Sequence, residues 1–326
     1  CSVRRDPLVR LNQGTLGGLV TVFGTGASYL LVAYYSDAGG GFVIYYRVID
    51  LATGAIVVRE TVLTSTVSQI AMVSVNGNAW ILYNDSAGLK AKKLSGTDPT
   101  STTTVTLDAT ATVFRVSAAY LNLGKFVACW SLLSSPLQLE MRTINASTGA
   151  VIDTAFYNTG GASIKALACT GDSSLATAFA WIEGTPSDQV MADIRDVDLA
   201  SIPGATPIEA GAAVLNEDTV GIELDRDGNA YVFYEAELTA GEPAAIARLF
   251  TSTGPLGDRH IAYRCNWASG PRRMGDSNRV FATLAVPQQG TLNANFGLEP
   301  GPAHFGLVCV DDTSAATPPL LLAHLT

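Results

Sequence analysis

The residues best suited to chemistry are the oxygen-bearing side chains of one short loop, Asp225-Arg226-Asp227-Gly228-Asn229. Carboxylate and amide oxygens spaced two residues apart can converge on a calcium ion. The loop lacks the third acidic ligand before the glycine and the distal glutamate of a complete calcium loop. An Asp-Gly turn between two strands explains the same residues without a metal, so we predict a hairpin turn here.

Two further patterns suggest chemistry on sugars. Ser36-Asp37-Ala38-Gly39 is similar to the Asp-box turn of sialidase-type propellers, although Gly41-Phe42 stands where that turn has Thr-Trp. A sialidase-like enzyme would also need arginines that converge on a carboxylate, plus a tyrosine and an acid. The arginines fall in one repeat and its neighbour, so we expect a surface face or an inter-subunit contact. They are Arg259, Arg264, Arg272, Arg273 and Arg279.

The motifs of common hydrolases, metalloproteases and nucleotide-binding sites are absent. The sequence contains no H-E-x-x-H, G-x-S-x-G or G-x-x-x-x-G-K-[ST] pattern. Gly24-Thr25-Gly26 lacks the third glycine and the following helix of a dinucleotide loop, which predicts a turn between strands. The three histidines, His260, His304 and His324, lie in the last quarter of the chain. We therefore predict a protein that is not an enzyme, with no catalytic, cofactor-binding or metal-binding residue.

The elements that would position any site form a repeat. Short apolar strands end in a large side chain about every fifty residues, a period typical of propeller blades. A second register agrees, because Asp50-Leu51-Ala52-Thr53-Gly54 and Asn145-Ala146-Ser147-Thr148-Gly149 share one turn pattern. Aromatic residues at strand ends predict packing between adjacent blades rather than a carbohydrate platform. The closing residues are Tyr34, Tyr83, Trp130, Trp181, Tyr234 and Leu284.

This repeat indicates an all-β fold, a β-propeller for which we favour six four-stranded blades and keep seven as the alternative. Residues 1–18 are predicted to be a lead-in that adds a strand to the last blade and closes the ring, and residues 19–326 to be the propeller. In the second blade, the third strand carries Lys90, Lys92 and Lys93 and is predicted to be an outer, solvated strand. Residues 198–215 are predicted to hold at most one weak strand.

Composition and charge exclude several classes. Of the 326 residues, 48% are hydrophobic and 15% charged, which is too apolar for a disordered chain. The net charge of −9 argues against a nucleic-acid-binding surface spread over the molecule. No apolar run approaches the roughly twenty residues of a membrane helix, so we predict no membrane span. The cysteines lack C-x-x-C spacing and are predicted to be buried free thiols: Cys1, Cys129, Cys169, Cys265 and Cys309.

The C-terminal repeat resembles a known family. Trp267 to Gly275, the strand Val280 to Val286, Gln288-Gln289, and Phe305 to Asp311 are similar to the closing part of the propeller in tail nozzle proteins of short-tailed bacteriophages. The resemblance implies a virion structural protein that forms a homo-oligomer, a hexamer, at the distal end of the tail. It further implies contacts with adaptor and fibre proteins, and a channel through which genome DNA leaves without specific binding.

Two alternatives belong to other classes. A mature bacterial lipoprotein also begins at cysteine, so Cys1 is compatible with a lipid-anchored propeller in the bacterial envelope that acts as a protein-binding scaffold. The weaker alternative is a sialidase-like, glycan-active propeller, which would depend on Arg272 or Arg279.

Overall fold

All regular structure in the described part of the chain is β-strand, which confirms the all-β prediction. No helix occurs in these ranges, and hence none that is long and apolar enough to cross a membrane. A computed structural model describes residues 15–37, 42–64, 70–109, 113–122, 124–132, 138–172, 176–184, 188–200, 206–210, 214–225, 227–239, 242–251, 253–263, 266–267, 272–273, 279–285, 305–311 and 320–324.

The first twelve strands form three four-stranded antiparallel sheets, each a meander of strands consecutive in sequence. Sheet A contains β1 (Thr15–Phe23), β2 (Tyr29–Asp37), β3 (Phe42–Asp50) and β4 (Ile56–Thr64). Sheet B contains β5 (Ile70–Val75), β6 (Asn78–Asp85), β7 (Gly88–Leu94) and β8 (Thr102–Asp108). Sheet C contains β9 (Val113–Asn122), β10 (Lys125–Leu132), β11 (Gln138–Asn145) and β12 (Val151–Asn158).

The later strands repeat this pattern, with one irregular sheet at the end. Sheet D contains β13 (Ser163–Asp172), β14 (Ala176–Gly184), β15 (Asp188–Arg195) and β16 (Thr206–Ala210). Sheet E contains β17 (Val214–Leu224), β18 (Ala230–Thr239), β19 (Glu242–Thr251) and β20 (Gly254–Tyr263). Sheet F contains β21 (Asn266–Trp267), β22 (Arg272–Arg273), β23 (Arg279–Ala285), β24 (Phe305–Asp311) and β25 (Leu320–His324), with both short strands paired to β23. Repeated four-stranded meanders are the building unit of β-propellers.

The chain divides into two compact units, Cys1–Ser135 with Glu140–Thr154, and Pro136–Leu139 with Ala155–Thr326. In the first unit, one apolar cluster joins sheets A and B and a second joins sheets B and C. In the second unit, one cluster joins sheets D and E. Strand β14 is buried on both faces, since every one of its residues is buried, so packed side chains cover it on either side of sheet D.

The two turns that share a sequence pattern also share their hydrogen bonds. Asp50 Oδ1 accepts the amides of Ala52 at 2.8 Å and Thr53 at 3.0 Å. Asn145 Oδ1 accepts those of Ser147 at 2.8 Å and Thr148 at 3.0 Å. Each turn closes with a glycine amide that donates to the carbonyl of its first residue, from Gly54 and from Gly149, at 2.8 Å in both. This local pattern sets the register of the third and fourth strands.

Two sequence predictions need correction. Strand β7 is not an outer strand, because it lies between β6 and β8 and its Leu89, Ala91 and Leu94 are fully buried. Its lysines suggested exposure, but the ammonium of Lys92 lies 5.7 Å from the ring centre of Tyr46, and burial lowers the pKa of Lys92. The outer strand is the threonine-rich β8, which is mostly exposed.

The second correction concerns the lead-in, predicted to span residues 1–18. Strand β1 begins at Thr15, which pairs with Ser36, so the first sheet already includes residues 15–18. The predicted ring-closing strand falls on residues 1–14, outside the described residues, as does Cys1. In residues 198–215, predicted to hold at most one weak strand, the structure describes the five-residue β16 and the start of β17. Residues 201–205 and 211–213 lie outside the described residues.

We expect Gly149→Ala to destabilise the protein more than Gly54→Ala. Both glycines have positive φ, 76° and 72°, so each alanine costs about 1 kcal/mol of backbone strain. A Cβ at Gly149 would also lie 2.6 Å from Val105 Cγ2 and 2.9 Å from Trp80 Cη2, whereas at Gly54 nothing lies within 4 Å. Overpacking adds roughly 1–3 kcal/mol at Gly149 alone. Urea unfolding of the two variants measures the difference, and equal losses would contradict the packing described here.

Candidate functional site

A basic side chain recurs at one position of the third strand, three residues before the residue that begins the following turn. Sheets A and C show this most directly, because Arg47 precedes Asp50 as Arg142 precedes Asn145. Sheet D breaks the pattern with Asp193, which precedes Asp196. The basic residues are Arg47 in sheet A, Lys92 in sheet B, Arg142 in sheet C and Arg248 in sheet E.

Two of these arginines tie their sheet to the preceding one. Arg142 Nη1 donates to the carbonyl oxygen of Leu107 on β8, the outer strand of sheet B. Arg248 Nη1 donates in the same way to the carbonyl oxygen of Ile208 on β16, the outer strand of sheet D. Outer strands have carbonyls without a ladder partner, and a charged donor satisfies one of them strongly. Arg142 and Arg248 thus each link their sheet to the preceding sheet through a hydrogen bond.

The remaining contacts of the basic set are also internal. The Arg142 guanidinium lies 4.7 Å from the ring centre of Trp130, and its Nη2 is 3.2 Å from Glu140 Oε2. The Arg47 guanidinium lies 5.8 Å from the ring centre of Tyr34. Stacking on aromatic faces is a normal use of buried or half-buried cations. These cations are therefore structural and do not form a site for an acidic ligand.

In sheet D the acid Asp193 is paired with a basic residue two positions later. Arg195 Nε donates to Asp193 Oδ2 at 2.7 Å, and Arg195 Nη1 donates to the carbonyl oxygen of Leu199 at 3.0 Å. Asp193 is fully buried, and its Oδ1 accepts no hydrogen bond. A buried carboxylate oxygen without a donor is costly, so this position differs in kind from its counterparts in the other sheets.

A second acid lies on the same face of sheet D. The register pairs Phe179 with Asp193 and Glu183 with Gln189, which places these side chains on one side of β14 and β15. Glu183 Oε2 accepts from Trp181 Nε1 at 3.1 Å, and Glu183 Oε1 accepts from Gln189 Nε2. The Tyr157 ring, on β12, lies 5.0 Å from the Trp181 ring. We call Tyr157, Trp181, Glu183, Gln189, Asp193 and Arg195 the sheet D polar cluster.

The electrostatics of this cluster follow from two carboxyl groups and one guanidinium. Burial raises the pKa of Asp193, and the Arg195 guanidinium opposes this shift. The pKa of Tyr157 is also raised, first by burial and then by the carboxylates of Glu183 and Asp193. Trp181, Glu183 and Asp193 are all buried. These three side chains therefore offer no exposed surface to a substrate.

The loop first considered for calcium is a hairpin turn, as predicted. Asp225 Oδ1 accepts the amides of Asp227 at 2.8 Å and Asn229 at 2.9 Å. Asp225 Oδ2 accepts from Asn229 Nδ2 at 3.0 Å. The carboxylate that would have bound the ion thus stabilises the turn itself. Throughout the described ranges, no group of three or more His, Cys, Asp or Glu residues has the geometry to hold a metal ion.

The residues considered for sialidase-like chemistry lie on several strands, and Arg264 lies outside the described residues. Asp37 ends strand β2, and the rest of the Asp-box pattern, residues 38–41, lies outside the described residues. Arg272 and Arg273 form β22, which pairs with β23, where Arg279 is the first residue. Arg259 lies on β20 of sheet E. The arginines thus fall in one sheet and its neighbour, as predicted.

The aromatic and cysteine predictions are confirmed for the residues whose burial is described. Tyr34, Trp130, Trp181 and Tyr234 are fully buried and Tyr83 nearly so, which supports packing rather than a carbohydrate platform. Cys129 and Cys169 are buried free thiols.

The polar cluster was missed by the sequence analysis, although a signal existed. Aligning the residues before each turn, Arg47-Val48-Ile49-Asp50 with Arg142-Thr143-Ile144-Asn145, exposes the basic position. The same alignment marks Asp193 as the exception. Tyr157 and Glu183 carry no such signal, because their shared contact with Trp181 depends on how the strands pack.

Comparisons with known proteins concern the fold. No protein-family model and no curated protein matches the sequence. Among solved structures, polysaccharide lyase Uly1 is similar with a TM-score of 0.50 and 9% identity, over 95% of this chain and 90% of that chain. A mutant of AofleA from Arthrobotrys oligospora has a TM-score of 0.49 and 12% identity, over 76% and 73%. The β-propeller domain of the Trilobed protease from Pyrococcus furiosus has 0.48 and 8%, over 95% and 98%.

At 9% identity, the likeness to the lyase concerns the fold alone. The other two similarities are weaker still and carry no functional argument.

We expect Arg142→Leu to lower the free energy of unfolding by about 2–4 kcal/mol, because it leaves the Leu107 carbonyl and the buried Glu140 carboxylate without their cationic partner. Arg248→Leu should have a similar effect through Ile208. Arg59→Leu is the control, because Arg59 is exposed on β4 and should change stability by less than about 0.5 kcal/mol. Thermal and urea unfolding measure the stability of all three variants. A loss of stability in R142L no larger than in R59L would contradict the role of Arg142 in linking sheets B and C.

Proposed function

We propose that this protein is a structural component that works through assembly contacts and is not an enzyme. More specifically, we propose that it is the propeller part of a tail nozzle of a short-tailed bacteriophage, in which its copies form a ring around the DNA exit channel. The six sheets would then be six blades of one propeller. The observation that carries the proposal is the apolar exposure of two outer strands.

The outer strands of sheets A and C expose large apolar side chains. On β4, Ile56 is 50% exposed and Val62 57%, and on β12, Ile152 is 42% exposed and Phe156 66%. An outer strand also presents unpaired backbone groups, so natural proteins usually protect it with polar or charged side chains. Exposed apolar edges of this kind mark interaction surfaces.

Sheet B shows what a protected outer strand looks like in the same chain. Strand β8 exposes four threonines, Thr102, Thr103, Thr104 and Thr106, and buries its one leucine, Leu107. The difference between β8 and the strands β4 and β12 supports contacts made by β4 and β12, and Leu256 on β20, the outer strand of sheet E, is likewise 56% exposed. Contacts with further copies or with other tail proteins would use such edges.

The absence of a free basic surface among the described third-strand residues also suits a DNA conduit. Arg47, Lys92, Arg142 and Arg248 are engaged internally, and the chain as a whole carries a net charge of −9. A like-charged wall does not hold phosphates, so a duplex can slide past it. The resemblance of the C-terminal repeat to tail nozzle proteins supports the same function.

The scaffold alternative draws on the same exposed edges. A lipid-anchored envelope propeller would dock a polypeptide partner on β4 or β12, and Cys1 would carry the lipid. The glycan-active alternative gains no support from the strand-end aromatic residues, because they are buried: Tyr34, Tyr83, Trp130, Trp181 and Tyr234.

The deciding experiment fractionates a culture of the native source and follows this protein with an antibody. We expect the protein to co-sediment with purified virus particles, with label at the distal tip of the tail and about six copies per particle. Recovery in the envelope fraction, with diacylglycerol on Cys1, would overturn the nozzle and support the scaffold.

A second test uses purified protein. Under the assembly proposal, Val62→Ser and Phe156→Ser should each weaken self-association or binding to tail proteins, because each removes an exposed apolar side chain from an outer strand. Thr104→Ser on the exposed part of β8 is the control and should leave association unchanged. Sedimentation velocity measures the oligomer, and identical behaviour of all three variants would contradict a role for β4 and β12.

A further inference from the structure

Strand β12 has an open edge and an exposed face. Among the described strands of sheet C, it is the last and has only β11 beside it. Exposure alternates along most of the strand, because Ile152, Thr154, Phe156 and Asn158 are exposed while the residues between them are half-buried. The exposed side chains therefore share one face of the strand. The edge beside them offers backbone N–H and C=O groups to an incoming strand.

The usual protection of an edge strand is missing from β12. It contains no lysine or proline, the residues that most often discourage pairing with another chain. Its one charged residue, Asp153, is engaged within sheet C, where its Oδ2 accepts from Thr143 Oγ1 at 2.6 Å and lies 3.8 Å from Lys125 Nζ. Strand β4, in contrast, carries Arg59 and Glu60 and has an irregular register against β3. Of these two apolar outer strands, β12 is the one suited to strand pairing.

We propose that β12 pairs in antiparallel orientation with β12 of a second copy of this chain, about a two-fold axis centred on Thr154. The two copies of sheet C then form one continuous eight-stranded sheet. Addition of a strand to an open sheet edge is a recurring mode of recognition between chains. This inference rests on the assembly contacts of the proposed function, and it names the partner of one outer strand.

Symmetry restricts the register of such a pair. A two-fold axis perpendicular to the joined sheet keeps every side chain on its own face, and directly opposed side chains share a face. The axis must therefore pass beside a residue that meets its own copy. Centring on Thr154 pairs residues 151–157, and centring on Ala155 pairs residues 152–158; these two registers use the most of the strand.

The chemistry of the opposed residues selects Thr154 as the centre. Ile152 then lies opposite Phe156 of the second copy, on either side of the central Thr154 pair. Aromatic–β-branched pairs and threonine pairs are favourable across antiparallel strands. On the other face, Asp153 lies opposite Ala155, so the two carboxylates do not oppose each other directly. With Ala155 at the centre, both large apolar side chains of the exposed face would oppose polar ones.

The size and symmetry of the contact determine what it can assemble. A pair of edge strands is smaller than a standard interface of about 800 Å² per partner, so we expect the dimer to depend on protein concentration. A two-fold contact uses the same surface on both molecules and joins them only in pairs. A ring of copies therefore needs a separate, head-to-tail contact, and the β12 pair can be tested apart from the ring.

Charge substitutions at Thr154 test the pair in the purified protein, by sedimentation equilibrium over a range of concentrations. We expect the wild type to dimerise, and Thr154→Lys and Thr154→Asp each to weaken dimerisation several-fold, because two like charges then meet at the axis. An equimolar mixture of T154K and T154D should restore the dimer, because unlike charges then meet. Thr102→Lys, at an exposed position of β8, is the matched control and should dimerise as the wild type does.

Three results would overturn the β12 pair. They are a wild type that stays monomeric at every concentration, a dimer that both charged variants keep, and a mixture that fails to restore the dimer lost by each variant alone. The last result would indicate that β12 binds a different surface of the second copy. These results leave the nozzle proposal standing, because the location of the protein in virus particles decides that proposal.

Discussion

The burial of both faces of the second strands β6, β10 and β14 is the constraint on which this structure depends. All nine residues of β14 are buried, and β6 and β10 are buried along most of their length. A polar side chain on such a strand has no solvent to bind, so it needs a partner inside the protein or it destabilises the fold. One solution to this constraint, used in several sheets, is a cation on the third strand. The cation covers an aromatic ring or binds a carbonyl of an outer strand.

The repeated turns solve the same problem at the sheet ends. The side-chain oxygens of Asp50 and Asn145 replace the ladder partners that two turn amides would otherwise lack. The turn of sheet C is also covered from sheet B, where Trp80 Nε1 donates to the Ala146 carbonyl at 3.3 Å and Lys93 Nζ to that of Ser147 at 2.9 Å. The same turn motif thus occurs in a covered position in sheet C and in an exposed position in sheet A, where Leu51 is 48% exposed.

Local patterns in the sequence were enough to predict the strands, the turns and the burial of the strand-end aromatics. Turn residues act within a few positions of the chain, as the side-chain oxygens of Asp50 and Asn145 show by binding amides two and three residues ahead. The misplaced strand β7 shows where such reasoning fails. Its lysines are polar by composition, yet Lys92 and Lys93 lay their side chains along aromatic rings of Tyr46 and Trp80.

The polar cluster could not be predicted for a different reason. Its geometry joins β12, β14 and β15, and no local pattern states that Tyr157 meets Trp181 or that Glu183 faces the same side as Asp193. What the sequence does contain is an exception, an acid where other repeats have a base. In a repeat protein each unit serves as the reference for the others, so a departure that leaves a buried oxygen unpaired points to a specific role more strongly than the residue type alone.

The same comparison between repeats separates the interior of this protein from its outer strands. Inside, sheets B, C and E agree on how to bury a cation, and such agreement indicates a requirement of the fold. At the outer edge, β8 is polar while β4 and β12 are apolar, and the fold demands neither choice. Selection for binding a partner would preserve features that the fold does not require and that differ between otherwise similar repeats. The outer strands of sheets A and C carry such features, which is why we propose that assembly contacts lie there.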